Sequence, residues 1–478
     1  MKSIIKLLVL VCVFFITSCV DNTDSNIDQK RWVRKNIHSV EAKKDVEALN
    51  KALQIMRSKN CSDPTSWYYQ GAMHWIPDTI INNHLCDSYH TTKDIKEGWD
   101  NCTHTPSGQE KIHFLIWHRL YTYHFEKIVR RLSGYQDFAL PYWDYTNSTG
   151  NNRQLPDMFR DRSSSLYEVA RYEPLNNGEP VSGEIERALD ITKLMSYSNF
   201  EMFSNNMNAA PHGAMHDYIG AGNDTTGTLQ FKNSITGSTT TTGLMGWVPT
   251  AAFDPIFWTH HSNVDRIWQQ WTNSENGRLV TLQQLKSAEW SYVFFDENGK
   301  KVIYTMEDAI KIIYTMDYDF DDTKVTGKYQ DGLVMSNRKQ VIASNTNSIS
   351  VNDQITDAVT LKSLLTSNGS KVSKSIMTIT TSFTKVPKGS YEVYNNYVVG
   401  NKPSDSNFIG FMTFFGADHK MIGESCEKGC CRELTKSGRP KFTFEYEVDV
   451  NDVYNVSIYK HNGKHVGDLV IESIIISK

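Results

Sequence analysis

Cysteine and proline are scarce in this chain: eight and 13 of 478 residues. So few thiols in so long a chain cannot be the framework of the fold, which excludes a disulfide-stapled scaffold. A positive field is also missing, since 50 Lys and Arg face 54 Asp and Glu for a net charge of -4. Neither nucleic acid nor an acidic polymer is therefore expected as partner. Beyond the first residues no apolar run is long enough to span a bilayer. What is present is 12% aromatic residues and enough length for two or three domains with their own cores.

The N-terminus reads as a targeting segment. Lys2 and Lys6 precede an apolar run from Leu7 to Ile16, the pattern of an export signal over residues 1–18. Ile16-Thr17-Ser18-Cys19 resembles a bacterial lipobox, in which the cysteine becomes the lipidated first residue. A cell-envelope lipoprotein of outer membrane or periplasm is expected, with an ordinary signal and secretion as the alternative. Residues 19–40, polar from Asp21 to Gln29, read as a tether, so membrane contact is expected only through the lipid. Cys12 and Cys19 fall in the leader, and Cys61, Cys86, Cys102, Cys426, Cys430 and Cys431 remain for the folded part.

Residues 41–275 carry helical periodicity. Val46, Leu49, Leu53 and Met56 predict a helix over Asp45 to Arg57, and Trp67 to His74 a second. A loop of roughly forty residues follows, long enough to suggest a functional role. It ends in Phe114-Leu115-Ile116-Trp117-His118-Arg119, where Tyr121, Phe125, Ile128, Val129 and Leu132 continue a helix under His118. Leu140-Pro141-Tyr142-Trp143-Asp144-Tyr145 comes next. Further on, Pro211-His212-Gly213-Ala214-Met215-His216 puts two histidines one helical turn apart, able to share a metal ion. Asp254 to Trp271, DPIFWTHHSNVDRIWQQW, adds His260 and His261 on another amphipathic helix. Successive helical residues diverge by about 100 degrees, so only one of that pair is expected to bind the same ion.

These segments resemble the tyrosinase and polyphenol oxidase (catechol oxidase) family of type-3 dicopper proteins: the Phe-Leu-x-Trp-His-Arg run, the Pro-Tyr-Trp-Asp box, and Asp254, Pro255, Phe257, His261, Asp265 and Arg266. The resemblance implies a mainly α catalytic domain, a four-helix bundle around two copper ions, each held by three histidines. His212, His216 and His261 would hold copper B; His74 and His118 would hold copper A. The middle copper A ligand is His104 or His113, because the position nine residues before His118 is Gln109. His104 is preferred, since Cys102-Thr103-His104 is similar to the family's cysteine-x-histidine, where a thioether can join sulfur and imidazole. His260 is read as a supporting or core group, and His84, His90 and His124 as loop or surface residues.

The resemblance implies oxidation of o-diphenols to o-quinones with reduction of dioxygen to water, and possible hydroxylation of monophenols. Phenol and dioxygen would be the small-molecule partners. Gly213 stands where hydroxylating members carry an asparagine, and Asn208 where plant relatives place a glutamate, which favours diphenol oxidation. Val248, thirteen residues before His261, falls at the family's gate position. Asp254 and Asp265 are expected to orient helix and ligand rings, with Arg119 and Arg266 as partners. A hemocyanin-like oxygen carrier is the alternative; a zinc hydrolase is disfavoured because no HExxH glutamate accompanies the pair.

After Trp271 the pattern turns to strands. Residues 276–336 form a connecting segment whose runs flanking Asn298-Gly299 predict a hairpin. Residues 337–360, rich in Ser and Asn, read as an exposed linker. Alternating runs in 361–478, such as Phe442-Thr443-Phe444-Glu445-Tyr446, predict a C-terminal β-sandwich or barrel that, in the family, can shield the copper site. Cys426, Cys430 and Cys431 suggest a disulfide or, as an alternative, a Cu(I)-binding thiol cluster.

Overall fold

The structure is a computed structural model that describes residues 30–75, 86, 93–99, 102, 112–221, 228–285, 291–326, 341–351, 356–363, 375–395, 407–417, 438–449, 453–460 and 467–477. The lipobox, His84, His90, His104 and the cysteines at 426, 430 and 431 lie outside them. Among the described residues no helix is long and apolar enough to cross a membrane.

Helix α1 (Lys43–Ser58) buries Val46, Leu49, Leu53 and Met56, one face at helical spacing. Helix α2 (Trp67–His74) starts at Ser66, whose hydroxyl accepts from the Tyr69 amide. Helix α3 (His113–Ser133) is the long central element and ends at Gly134, whose φ of 75° gives the left-handed cap that glycine adopts without strain. Helix α4 (Phe200–Met207) is capped by Asn199 and runs into a wide π-type turn, Asn208–Gly213. Helix α5 (Ala214–Ile219) continues from that turn, and helix α6 (Ile256–Asn273) closes the bundle. α3 packs between α1 and α6, with the Phe125 and Trp258 rings stacked 3.5 Å apart. A Cys61–Cys86 disulfide ties the approach to α2 to the loop beyond it.

The tether expected over 19–40 stops short of its predicted end. Strand β1 (Trp32–Arg34) pairs in parallel with β4 (Tyr318–Phe320), so the segment before α1 is built into the fold. The reason is charge. Arg34 is fully buried and bonds Glu126 of α3 at 2.8 Å and Asp265 of α6 at 2.9 Å. Arg119 takes the other Asp265 oxygen at 2.5 Å, and Arg130 the other Glu126 oxygen at 2.8 Å. Between α6 and β4, strands β2 (Ser291–Phe295) and β3 (Lys301–Thr305) form an antiparallel hairpin that turns at Gly299, with φ of 76°.

The expected 337–360 linker is also corrected, because much of it is sheet. Strand β5 (Val341–Asn345) pairs with β6 (Thr356–Ser363) and with the last strand, satisfying its main chain in the ladder. The C-terminal domain thus begins near 341, about twenty residues before the predicted boundary at 361. It continues through β7 (Ser375–Ser382), β8 (Ser390–Asn395), β9 (Phe408–Thr413), β10 (Lys441–Val448), β11 (Val453–Lys460) and β12 (Val470–Ser477). The sheet order is β9-β8-β11-β6-β5-β12-β7-β10, with Ile349–Ser350 added on β12. The Tyr446 hydroxyl of β10 donates to the Phe411 carbonyl of β9 at 2.8 Å, so the sheet curls until its two ends meet. Met377, Ile379, Val393, Phe442 and Ile474 fill its own core, while Phe411 and Phe415 project into the core of the helical domain.

Arg34→Met leaves two buried carboxylates short of a partner, and the expected loss of stability is roughly 3–5 kcal/mol. Chemical denaturation of the full chain measures it, and an unchanged midpoint would return residues 30–40 to the tether.

Candidate metal centre

Six buried histidines and the half-buried Cys102 face one another where α2, α3, α5 and α6 converge. His74 is the last residue of α2, His118 lies in the second turn of α3, His212 in the π-type turn, His216 on α5 and His261 on α6. Ligand atoms of His212, His216, His260 and His261 lie within 4.8 Å of one another, as do those of His74, Cys102 and His118. The His118 and His261 rings lie face to face, centroids 4.2 Å apart and 9° from parallel, and join the two groups.

The main chain fixes which nitrogen is available on four of the six rings. Nδ1 of His74 lies 3.1 Å from the Val248 carbonyl, that of His118 2.7 Å from Phe114, that of His212 3.1 Å from Asn208, and that of His216 2.8 Å from Met245. A carbonyl only accepts, so Nδ1 carries the proton and Nε2 keeps its lone pair. Burial holds the rings neutral: His74 and His212 are pushed down to about 3, and His118, His216 and His261 well below the usual range. Among the described residues, Nε2 of His216 and both nitrogens of His260 and His261 have no hydrogen-bond partner. Each orphaned buried nitrogen costs about 1–3 kcal/mol, which a bound cation would recover. Neutral imidazoles with an adjacent thiol suit copper or zinc and disfavour magnesium or calcium.

His113 stays out of both groups, its Nδ1 held 2.5 Å from the Tyr292 hydroxyl. Cys102 Sγ stands 3.5 Å from His118 Nε2, at ligand range, a contact its spacing to His104 did not announce. His260 is the larger surprise. Its azimuth differs from that of His261, yet the chain turning through Pro211 brings His212 and His216 to both rings, and His260 stacks on His212 at 5.3 Å and on Tyr145 at 5.4 Å. His124, read as loop or surface, is buried in α3, bonded to the Tyr304 hydroxyl at 3.0 Å.

The carboxylates sort themselves differently from the expectation. Asp265 does bind Arg119, but Asp254 is clamped by Arg171 at 2.5 Å while accepting from the Ile256 amide at the start of α6. Arg266 turns instead to Asp144 at 3.1 Å and to Asp322. Val248 is fully buried and serves the site through its carbonyl. A Cβ on Gly213 would come within 2.9 Å of both the Asn208 carbonyl and Thr413 Oγ1, so the seated C-terminal domain keeps that position small. Phe415, just past β9, stacks on His216 with centroids 4.2 Å apart. Nothing local marks Phe415 in the sequence, because its contact spans two domains.

A family model described as the common central domain of tyrosinase matches residues 64–182 and 173–274. A tyrosinase of Hahella sp. (strain CCB-MM4) is 25% identical over 411 residues, covering 77% of this chain and 82% of that protein. Polyphenol oxidase A1, chloroplastic, of Vicia faba is 27% identical over 304 residues, 60% of this chain. The chain spans 46% of that relative's length. Among solved structures, latent apple tyrosinase superposes with a TM-score of 0.60 at 18% identity, over 94% of this chain and 98% of that one. Recombinant latent aurone synthase gives 0.63 at 18% identity, over 94% and 90%. At that identity these two matches speak for the fold of both domains.

Buried neutral histidines make the metal-free protein acid-sensitive. His113 is pushed down to about 4 and His124 to about 3 by burial, whereas an unfolded histidine takes its proton near 6.5. A depressed folded value means the contribution is whole above about pH 6.5 and is lost as pH falls towards 4. The thermal midpoint of the copper-free chain should drop steadily from pH 7 to 4.5, and a flat profile would contradict neutral burial.

Proposed function

We propose that this chain, whose residues 64–274 match the tyrosinase central-domain model, is a copper oxidoreductase that converts o-diphenols to o-quinones and passes the electrons to dioxygen. One observation carries the reading: two groups of buried neutral imidazoles, four of them anchored through Nδ1 to main-chain carbonyls, meet across the His118–His261 stack. Ions bound to the two groups would sit side by side. The relatives named tyrosinase, polyphenol oxidase and aureusidin synthase are enzymes by name, which favours turnover over reversible oxygen carriage.

In this reading His74, His104 and His118 hold copper A, and His212, His216 and His261 hold copper B. Cys102 forms a thioether with His104, keeping its sulfur beside His118. His260 supports the B site as a packing partner of Tyr145 and His212. When bound, two copper ions supply the electron transfer: two diphenols give up four electrons and four protons, and one dioxygen becomes two waters. The chain supplies fixed tautomers, a dry pocket and ring orientation.

Diphenol oxidation is preferred to hydroxylation on the residues flanking His212. Asn208 carries a neutral amide, its main-chain carbonyl accepting from His212 Nδ1, and Gly213 offers no side chain, so neither side chain provides a base for a monophenol. Val248, with its small buried side chain, is the gate residue. The C-terminal domain acts as a shield whose Phe415 ring lies on His216. An exported location, with Cys19 as the lipid anchor, completes the proposal.

Metal analysis of copper-loaded full-length protein should give two coppers per chain, with catechol turnover exceeding that of a monophenol. His261→Ala should leave about one copper and lower catechol turnover by more than about 100-fold. Two coppers without turnover, even in an unshielded variant, would favour the carrier. Phe415→Ala should raise full-length turnover several-fold at unchanged copper content; equal rates would remove the shielding role.

A further inference from the structure

Two of the carbonyls that fix ring protons belong to one stretch of chain. His216 donates from Nδ1 to the Met245 carbonyl at 2.8 Å, and His74 donates from Nδ1 to that of Val248 at 3.1 Å. A single segment therefore serves one histidine of each metal group. Leu244–Gly246 forms a 3-10 turn and Val248–Ala251 one turn of helix, and Leu244, Met245 and Val248 are all fully buried.

The segment is pinned at both ends. Gly220, directly after α5, passes so near Gly246 that a Cβ on Gly220 would come within 2.1 Å of the Gly246 nitrogen. The Gly243 amide also donates to the Gly220 carbonyl at 2.8 Å. At the other end the Phe253 ring fills the space that a side chain at Gly71 of α2 would need, 2.6 Å from that Cβ. The helix carrying His216 is thus fastened to the start of the segment, and the helix ending in His74 to its close.

Thr250 holds the middle. Its side chain is fully buried, and its hydroxyl donates to the Leu244 carbonyl at 3.0 Å and to that of Trp247 at 3.2 Å. These carbonyls stand immediately before the two that the histidines use. Each already accepts a main-chain amide, from Trp247 and from Thr250, so the hydroxyl takes their second lone pairs. With both drawn to Thr250, the next peptide planes present the Met245 and Val248 carbonyls to the rings. We propose that residues 243–253 are a brace common to both metal groups, with Thr250 as its positioning residue, acting through those carbonyls on the tautomers of His74 and His216. His118 and His212 find their acceptors, Phe114 and Asn208, within their own turns and stand outside the brace. The proposal rests on the dicopper reading for the ions the rings receive.

Thr250→Val keeps the shape and removes the hydroxyl, and ring tautomers in the copper-free full-length protein report the effect. Long-range nitrogen–proton NMR of histidine-labelled wild type should show the proton on Nδ1 of His74, His118, His212 and His216. The valine variant should show mixed tautomers at His74 and His216 alone, and Thr250→Ser should restore the wild-type pattern. Copper release to a chelator is the second readout. The ion left in His261→Ala reports on the A group and the ion left in His74→Ala on the B group; adding Thr250→Val to either should speed release by about tenfold. If the valine variant does not fold, Phe253→Leu, which frees the α2 end of the same segment, makes the same comparison. Unchanged tautomers in the folded variant, disturbance of all four rings alike, or faster release from one group only would overturn the brace. A wild type without two coppers fails the dicopper reading, whereas the tautomer experiment needs no metal, so the two failures are distinguishable.

Discussion

Four histidine rings in this protein give their Nδ1 protons to main-chain carbonyls, and the rest of the helical domain is arranged to keep those carbonyls in place. The acceptors come from three stretches: Phe114 one turn before its histidine, Asn208 in the π-type turn, and the short helical segment 244–251 that holds Met245 and Val248, distant in sequence from His216 and His74. A peptide carbonyl cannot donate, so this choice is absolute: the proton sits on Nδ1 and the lone pair on Nε2. Burial then removes the competing proton. The site is a consequence of backbone path as much as of side-chain identity.

Holding that path requires charge in the core. Asp265 gathers Arg34, Arg119 and the Tyr318 hydroxyl, while Glu126 gathers Arg34 and Arg130. Such a network gains little net stability over an apolar core of equal volume, but it is unforgiving of misplacement, since each unpaired member is costly. It fixes the rotation of α3 and α6 about their axes, which is what sets His118 against His261. Asp254, clamped by Arg171, does the same for the first turn of α6.

The C-terminal sheet meets the helical domain through a seam of mixed polarity. Ser198 to Glu447 at 3.1 Å, Arg187 near Glu392 at 3.6 Å and the Asn206 bonds hold it, while Phe411 and Phe415 supply apolar area. Interfaces of mixed polarity separate more readily than continuous apolar cores.

Much of this was legible from residues alone. Helical periodicity located α1, α3 and α6, alternation located β7 and β10, and the histidine spacings with their aromatic boxes named His74, His118, His212, His216 and His261, because such patterns are local. Boundaries were less legible: polar residues 30–40 and 337–360 read as tether and linker, since nothing local reveals that Arg34 will meet Asp265 or that Val341–Asn345 will find a strand partner. The pairing of Asp254 with Arg171, the approach of His260, Cys102 beside His118, and Phe415 on His216 were decided by tertiary structure. Each joins residues far apart in the chain, so its energy is realised only once the helices and the sheet have packed. The sequence by itself marked His74, His118, His212, His216 and His261 as a set of imidazoles with metal-ligand spacing; the folded backbone decided that His260 joins them and which nitrogen four of the rings offer.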